Sequence, residues 1–203
     1  MNYTGPKVKL ARALGIPLTP KAARYMEKRP YPPGEHGRKA GRRRESIYKI
    51  QLREKQRLRA QYNIGERQLR NYFRKASRKK GNAGANLLRA LEMRLDAVVL
   101  RGGLARTIYA SRQYVVHGHV TVNGKRVNVP GQTCRVGDVI SIREKSRKML
   151  CFMDAMESSH RVPYLELDKN AWSLKVTGVP EREDVPIICD VIMVVEFYSR
   201  MGA

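Results

Sequence analysis

The side chains in this sequence that could do chemistry are overwhelmingly cations. Lys and Arg number 41 against 18 Asp and Glu, a formal charge of +23, which suits a chain that meets polyanions. Other chemistries find little support. Cys134, Cys151 and Cys189 are three, separated by 16 and 37 residues with no CxxC pair. They predict no disulfide framework, and all three read as small buried hydrophobes in a reducing compartment. His117 and His119 have no third donor nearby in sequence, so no metal and no cofactor is assigned. Walker, HExxH and GxSxG elements are absent from the sequence, and the chain reads as a binder rather than an enzyme.

The elements that must carry those cations are unevenly charged. Residues 1–81 hold 24 basic and 5 acidic residues, and residues 82–203 hold 17 and 13. Residues 1–41 are rich in Pro and Gly, with Arg29-Pro30-Tyr31-Pro32-Pro33-Gly34-Glu35-His36-Gly37 forbidding a continuous helix. They read as an extended basic arm that orders against nucleic acid. From Arg42 to Tyr62 the chain lacks Gly and Pro and reads as a helix, with Glu45 four residues before Lys49. Its Arg42, Arg43, Arg44, Arg53, Lys55, Arg57 and Arg59 are expected to form an outward cationic ridge on phosphates. A second helix is expected over 65–80, with Leu69, Tyr72, Phe73 and Ala76 on one face. A third is expected from Gly84 to Gly102-Gly103 with Leu88, Leu91, Leu95 and Val98 as its stripe. Tyr48, Tyr62 and Tyr72 read as packing residues, with base stacking the alternative.

The middle of the chain looks like a compact module. A short helix over 107–117 closes at Gly118, and Val120 and Val122 then alternate up to Asn123-Gly124, with Val127 and Val129 after it. Asn-Gly between two such runs predicts a hairpin. A further strand is expected at Val139-Ile140-Ser141-Ile142, giving two helices on a small bent antiparallel sheet. Trp172, Leu174 and Val176, then the apolar run Val191 to Val195, read as more sheet ending in a strap back onto the first part.

Hydrophobic residues make up 42% of the chain, enough to bury a core. The longest apolar runs are five residues, Met149 to Met153 and Val191 to Val195, where a membrane span needs about 20. The first residues lack the apolar segment of a secretory signal, so the protein is expected to stay where it is made.

Several of these motifs are shared. Arg94-Leu95-Asp96, Ala105-Arg106, Ser111-Arg112-Gln113, His117-Gly118-His119, Val122-Asn123-Gly124 and Gly137-Asp138 resemble the RNA-binding module named after the fourth small-subunit ribosomal protein. The proline-rich stretch from Arg29 to Gly37, Gln51-Leu52-Arg53-Glu54-Lys55-Gln56 and Val195-Glu196-Phe197-Tyr198-Ser199-Arg200 are similar to that ribosomal family itself. Some members carry an N-terminal zinc-binding cysteine cluster; no Cys precedes position 134 here.

The resemblance implies a structural constituent of the small ribosomal subunit. It implies direct binding of small-subunit rRNA at a multi-helix junction, nucleation of assembly of the subunit body, and a contribution to translational accuracy through the fifth small-subunit protein. Its partners would be that rRNA, that protein and mRNA where it enters the subunit, without membrane or small-molecule substrate. Its place would be the cytoplasmic ribosome, or an organelle's. The expected organisation is α+β: an extended basic arm at 1–41, a helical rRNA-binding domain at 42–92, the RNA-binding module at 93–154, and a C-terminal sheet extension and strap at 155–203.

Besides the ridge, the residues expected on RNA are Lys7, Lys9, Arg12, Arg24, His36, Arg70, Arg74, Lys79 and Lys80. In the module they are Arg94, Arg106, Arg112, Gln113, His117, His119 and Lys125. Forked Arg can hold two phosphate oxygens, and double-stranded RNA is gripped by shape, phosphates and 2′-hydroxyls. The rival enzyme reading is a pseudouridine synthase, since Met93-Arg94-Leu95-Asp96 mimics the context of its catalytic Asp. Only about 50 residues follow the module, too few for a catalytic domain of ordinary size. Asp96 is therefore expected to pack or pair with Arg. A DNA-binding regulator and a binder of stalled ribosomal complexes are further alternatives.

Overall fold

A computed structural model describes residues 3–39, 45–157 and 162–202. The chain divides into two compact units, residues 1–84 with 187–203, and residues 85–186. The first unit holds 25 basic and 7 acidic residues and the second 16 and 11, so most of the excess charge belongs to the first.

In chain order the helices are α1 (Lys7–Leu14), α2 (Pro20–Lys28), α3 (Ile47–Gln61), α4 (Glu66–Ser77), α5 (Ala83–Glu92), α6 (Leu95–Arg101), α7 (Ile108–Val116), α8 (Glu144–Arg147), α9 (Leu150–Glu157) and α10 (Val191–Arg200). A 3-10 turn covers Glu35–Lys39. The strands are β1 (Val120–Val122), β2 (Lys125–Arg126), β3 (Val139–Ile142), β4 (Leu165–Asp168) and β5 (Ser173–Val176). They form one antiparallel sheet in the order β2-β1-β3-β5-β4. The architecture is thus the α+β one expected: helices first, then helices packed with an antiparallel sheet.

The first unit departs from the sequence reading at its start, where the supposed extended arm contains two helices. Its prolines sit where helices tolerate them: Pro6 is the N-cap of α1, and Pro20 opens α2 behind Thr19, whose hydroxyl accepts from Ala22 N at 3.1 Å. Leu14 and Ile16 bury against Ala60 of α3, so this stretch has a small core of its own. The α3 helix begins at Ile47 behind the Ser46 cap, not at Arg42; Arg42, Arg43 and Arg44 lie outside the described residues. Leu69, Phe73 and Ala76 of α4 are buried as the i, i+4, i+7 spacing predicts, with Tyr72 half-buried beside them.

The second correction concerns Val191 to Val195, which is helix and not strand. Asp190 caps it by accepting from Ile192 N and Met193 N, and Val194, Phe197 and Tyr198 bury at i, i+3 and i+4. This α10 packs on α3 and α4: Phe73 stacks on Tyr198 at 4.9 Å, and Gln51 Nε2 donates to Glu196 Oε2 at 2.6 Å. Tyr62 is 1% exposed and is therefore a packing residue, whereas Tyr48 is 53% exposed with its ring 5.9 Å from Phe197.

In the second unit the helix expected from Gly84 to Gly102 is two helices. The backbone leaves helical geometry at Arg94 because residues 130–134 claim it: Cys134 N donates to Met93 O at 2.7 Å, Leu95 N to Gln132 O at 2.8 Å and Asp96 N to Pro130 O at 3.1 Å. Leu95, Val98, Val115, Ile140, Ile142, Leu174 and Val176 close one core between α6, α7 and the sheet. Cys134 lies in that core, and burial pushes its thiol up to about 12. Cys151 and Cys189 are only half-buried, contrary to the expectation of three buried cysteines. No helix of the described residues is long and apolar enough to cross a membrane.

Candidate nucleic-acid interface

The turn between α7 and β1 shows how local sequence builds a cationic surface. Thr107 caps α7 by accepting from Ala110 N, and the helix ends at His117 because Gly118 turns the chain at φ +72°. A Cβ on Gly118 would also displace the guanidinium of Arg126, and the positive φ is what favours glycine here. Arg126 is there because Asn123 and Gly124, at φ +50° and +77°, fold the predicted hairpin and set Thr121 opposite Arg126. Asn123 is locked from both sides: its Nδ2 donates to Asp138 Oδ1 and its Oδ1 accepts from Val139 N, each at 2.9 Å.

Arg143 follows β3 and donates from Nη1 to Gly118 O at 3.3 Å. His119 Nδ1 is 2.9 Å from Ser146 Oγ, and its ring lies 6.0 Å from that of His117. Gly118 is thus surrounded by Arg126, Arg143, His117 and His119. Burial holds the His119 imidazole below its ordinary range, reinforced by His117, Arg143 and Arg126. Sequence reasoning named both histidines and Lys125 but missed Arg126 and Arg143. The Asn-Gly register was the available signal for Arg126; Arg143 is placed by the backbone bond from its N–H to His119 O, which no local pattern reveals.

Burial separates the remaining candidates into those that face solvent and those the protein uses internally. Arg94 must leave the RNA-facing set. It is 0% exposed, with Nε and Nη2 donating to the Asp96 carboxylate at 2.9 and 2.6 Å. Asp96 is an Arg-pairing residue, as read from sequence, with Arg112 Nη1 3.6 Å from the same Oδ2 that Arg94 Nη2 reaches. Burial pushes its carboxyl up against the opposing pull of both arginines. Arg112 and His119 are half-buried, while Arg106, Gln113, His117 and Lys125 are exposed.

The α3 ridge is likewise only partly outward. Lys55 is 5% exposed, bonded to Glu66 at 2.7 Å and seated 4.8 Å from the Phe197 ring centre. Arg57 donates to Leu14 O and to Glu54, each at 2.7 Å, tying α1 to α3. Arg53 pairs with Glu45 at 2.6 Å, which, with Lys49, holds that carboxyl below its ordinary value. Arg12 donates to Tyr31 O at 2.9 Å and pins the proline-rich stretch to α1. These four are structural cations. The reason is common to them: a long charged chain next to a carboxylate or a free carbonyl is satisfied inside the protein. Lys7, Lys9, Arg24, His36, Arg74, Lys79 and Lys80 are exposed, and Arg59 and Arg70 half-buried.

Among the described residues no group of three His, Cys, Asp or Glu could hold a metal ion. What the exposed arrangement can do chemically is bind phosphate: guanidinium forks, ammonium groups and imidazoles with few acceptors near them.

Comparison with known proteins gives the same direction. The family model described as "Ribosomal protein S4/S9 N-terminal domain" matches residues 2–92, and the "S4 domain" model matches residues 93–140. The chain is similar to "Small ribosomal subunit protein uS4" of Streptomyces griseus, at 49% identity over 98% of this chain and 99% of that protein. It is also similar to the proteins of that name from Thermobifida fusca, at 46% identity over 98% and 100%, and from Beutenbergia cavernae, at 51% over 96% of each.

Proposed function

The chain belongs to the family of small ribosomal subunit protein uS4, and from that premise we propose that it is a primary binder of small-subunit rRNA that grips a multi-helix junction. The family is one of ribosomal structural proteins and not of enzymes, and this member carries the S4 RNA-binding domain within the ribosome. Its partner is therefore rRNA.

The observation that carries the finer reading is the set of exposed cations that have no carboxylate partner among the described residues. In the S4-domain unit these include Arg106, Lys125, Arg126 and Arg143 around α7 and the hairpin; in the helical unit Arg74 is one. Left without carboxylates, such groups repel one another, and phosphates relieve that repulsion. Two separate cationic units suit a folded junction, where several backbones converge, better than one uniform duplex.

By seating on the junction the protein would nucleate assembly of the subunit body. It would contact the fifth small-subunit protein, influence decoding accuracy through that contact, and lie beside mRNA where it enters the subunit. The ribosome concerned would be the cytoplasmic one. Chemical footprinting of small-subunit rRNA with the purified chain tests the reading. Protection clustered at one junction is expected; protection spread evenly along duplex RNA would refute it.

A further inference from the structure

We propose that the Gly118 turn is a seat for one phosphodiester of the bound RNA, held between Arg126 and Arg143 and completed by protonated His119, so that RNA binding takes up a proton. The proposal rests on the rRNA-binding reading and names the atoms that serve it.

Two guanidinium groups approach one glycine. Arg143 spends one nitrogen on Gly118 O, and the Arg126 guanidinium packs over the same residue, in the space a Cβ would occupy. Neither has a carboxylate partner among the described residues. Two forks that share a turn without an acid between them form a cationic seat, and a phosphodiester, whose two non-bridging oxygens share one negative charge, can accept from both.

His119 supplies the proton linkage. The groups that face it are Tyr114 from α7, His117 at the C-cap of that helix, Arg126 from β2, Arg143 just after β3, Ser146 from α8 and Phe152 from α9. The charged ones are all cations. Ser146 occupies Nδ1, which leaves Nε2 for an outside acceptor. Burial, with its cationic neighbours, disfavours the imidazolium in the free protein. An anion among the same cations reverses that balance, so the imidazole gains a proton from solvent as the phosphodiester binds. The sign follows: the pKa of His119 is higher in the complex. The extra affinity is present below the free-state pKa and disappears as pH rises through the bound-state pKa.

The test is filter binding of the full chain to small-subunit rRNA at constant ionic strength, near pH 6 and near pH 8, on either side of the ordinary histidine range. Wild type should bind more tightly at the lower pH, by up to about tenfold, the limit set by a one-unit rise in one pKa. His119→Gln should lose most of that gain. Arg126→Ala and Arg143→Ala should each weaken binding and make the salt slope shallower by about one. An unchanged pH ratio in His119→Gln, or unchanged affinity in both arginine variants, overturns the seat while leaving rRNA binding intact. Failure of wild type to bind at either pH overturns the rRNA reading itself. A second measurement needs no variant: wild-type protein titrated with inorganic phosphate should show the His119 ring signals respond and its pKa rise, and unresponsive signals would also refute the seat.

Discussion

Arg94 and Arg106 belong to the same unit, yet burial gives them opposite tasks. Arg94 is sealed against Asp96, and removing it leaves the buried carboxylate with only the more distant Arg112 at 3.6 Å, at a cost of about 3–5 kcal/mol. Arg94→Ala is therefore expected to lower the urea midpoint sharply. Arg106→Ala, at an exposed position, should change stability by no more than about 0.5 kcal/mol and weaken RNA binding instead. Reversed results in paired denaturation and binding measurements would contradict this assignment. Gly118→Ala should lose in both assays, because the added methyl meets strained backbone and displaces Arg126 together. Sequence could pick out Arg94, Arg106 and Arg112 as basic residues in one motif, but only the fold shows which is spent on Asp96. That sorting depends on the buried carboxylate, not on spacing.

Among the elements, those whose signals are local were legible. The Asn123-Gly124 hairpin, the α4 face and the apolar stripe through Leu88, Leu91, Leu95 and Val98 follow from turn chemistry and periodicity. The stripe is buried throughout, but its helix breaks at Arg94 because bonds from residues 130–134 reach it across the sequence. The α10 helix misled for the opposite reason: a run of β-branched residues favours strand locally, and packing on α3 decides otherwise. The contacts of α10 also set a pH dependence. Burial pushes the Glu66 carboxyl up, but the hydrogen bonds from Lys55 and Tyr198 outweigh it and hold it below its ordinary value. A depressed carboxyl stabilises the fold above its unfolded pKa, and that contribution disappears as pH falls through the folded one. Acid titration of stability should therefore be flatter in Glu66→Gln than in wild type below about pH 4.5. Parallel curves would show that the contact between α3, α4 and α10 does not depend on this charge.

At the scale of the whole molecule, what composition stated first remains the governing quantity. A chain of +23 keeps several cations for its own fold, Arg12, Lys55, Arg57 and Arg94 among them, and still presents many more than its acids can pair. The excess sits mostly in the helical unit, and the S4-domain unit adds a shaped cluster around one turn. Binding that neutralises phosphates releases their counterions, so affinity must depend steeply on salt. The most direct measurement is a filter-binding titration of the purified chain against small-subunit rRNA between 50 and 200 mM salt. If about 6 to 10 phosphates are neutralised, log affinity falls linearly with log salt and the total loss is about 10³- to 10⁵-fold. Binding that is absent at the lowest salt, or that does not weaken across the range, would contradict the claim that these cations hold folded RNA.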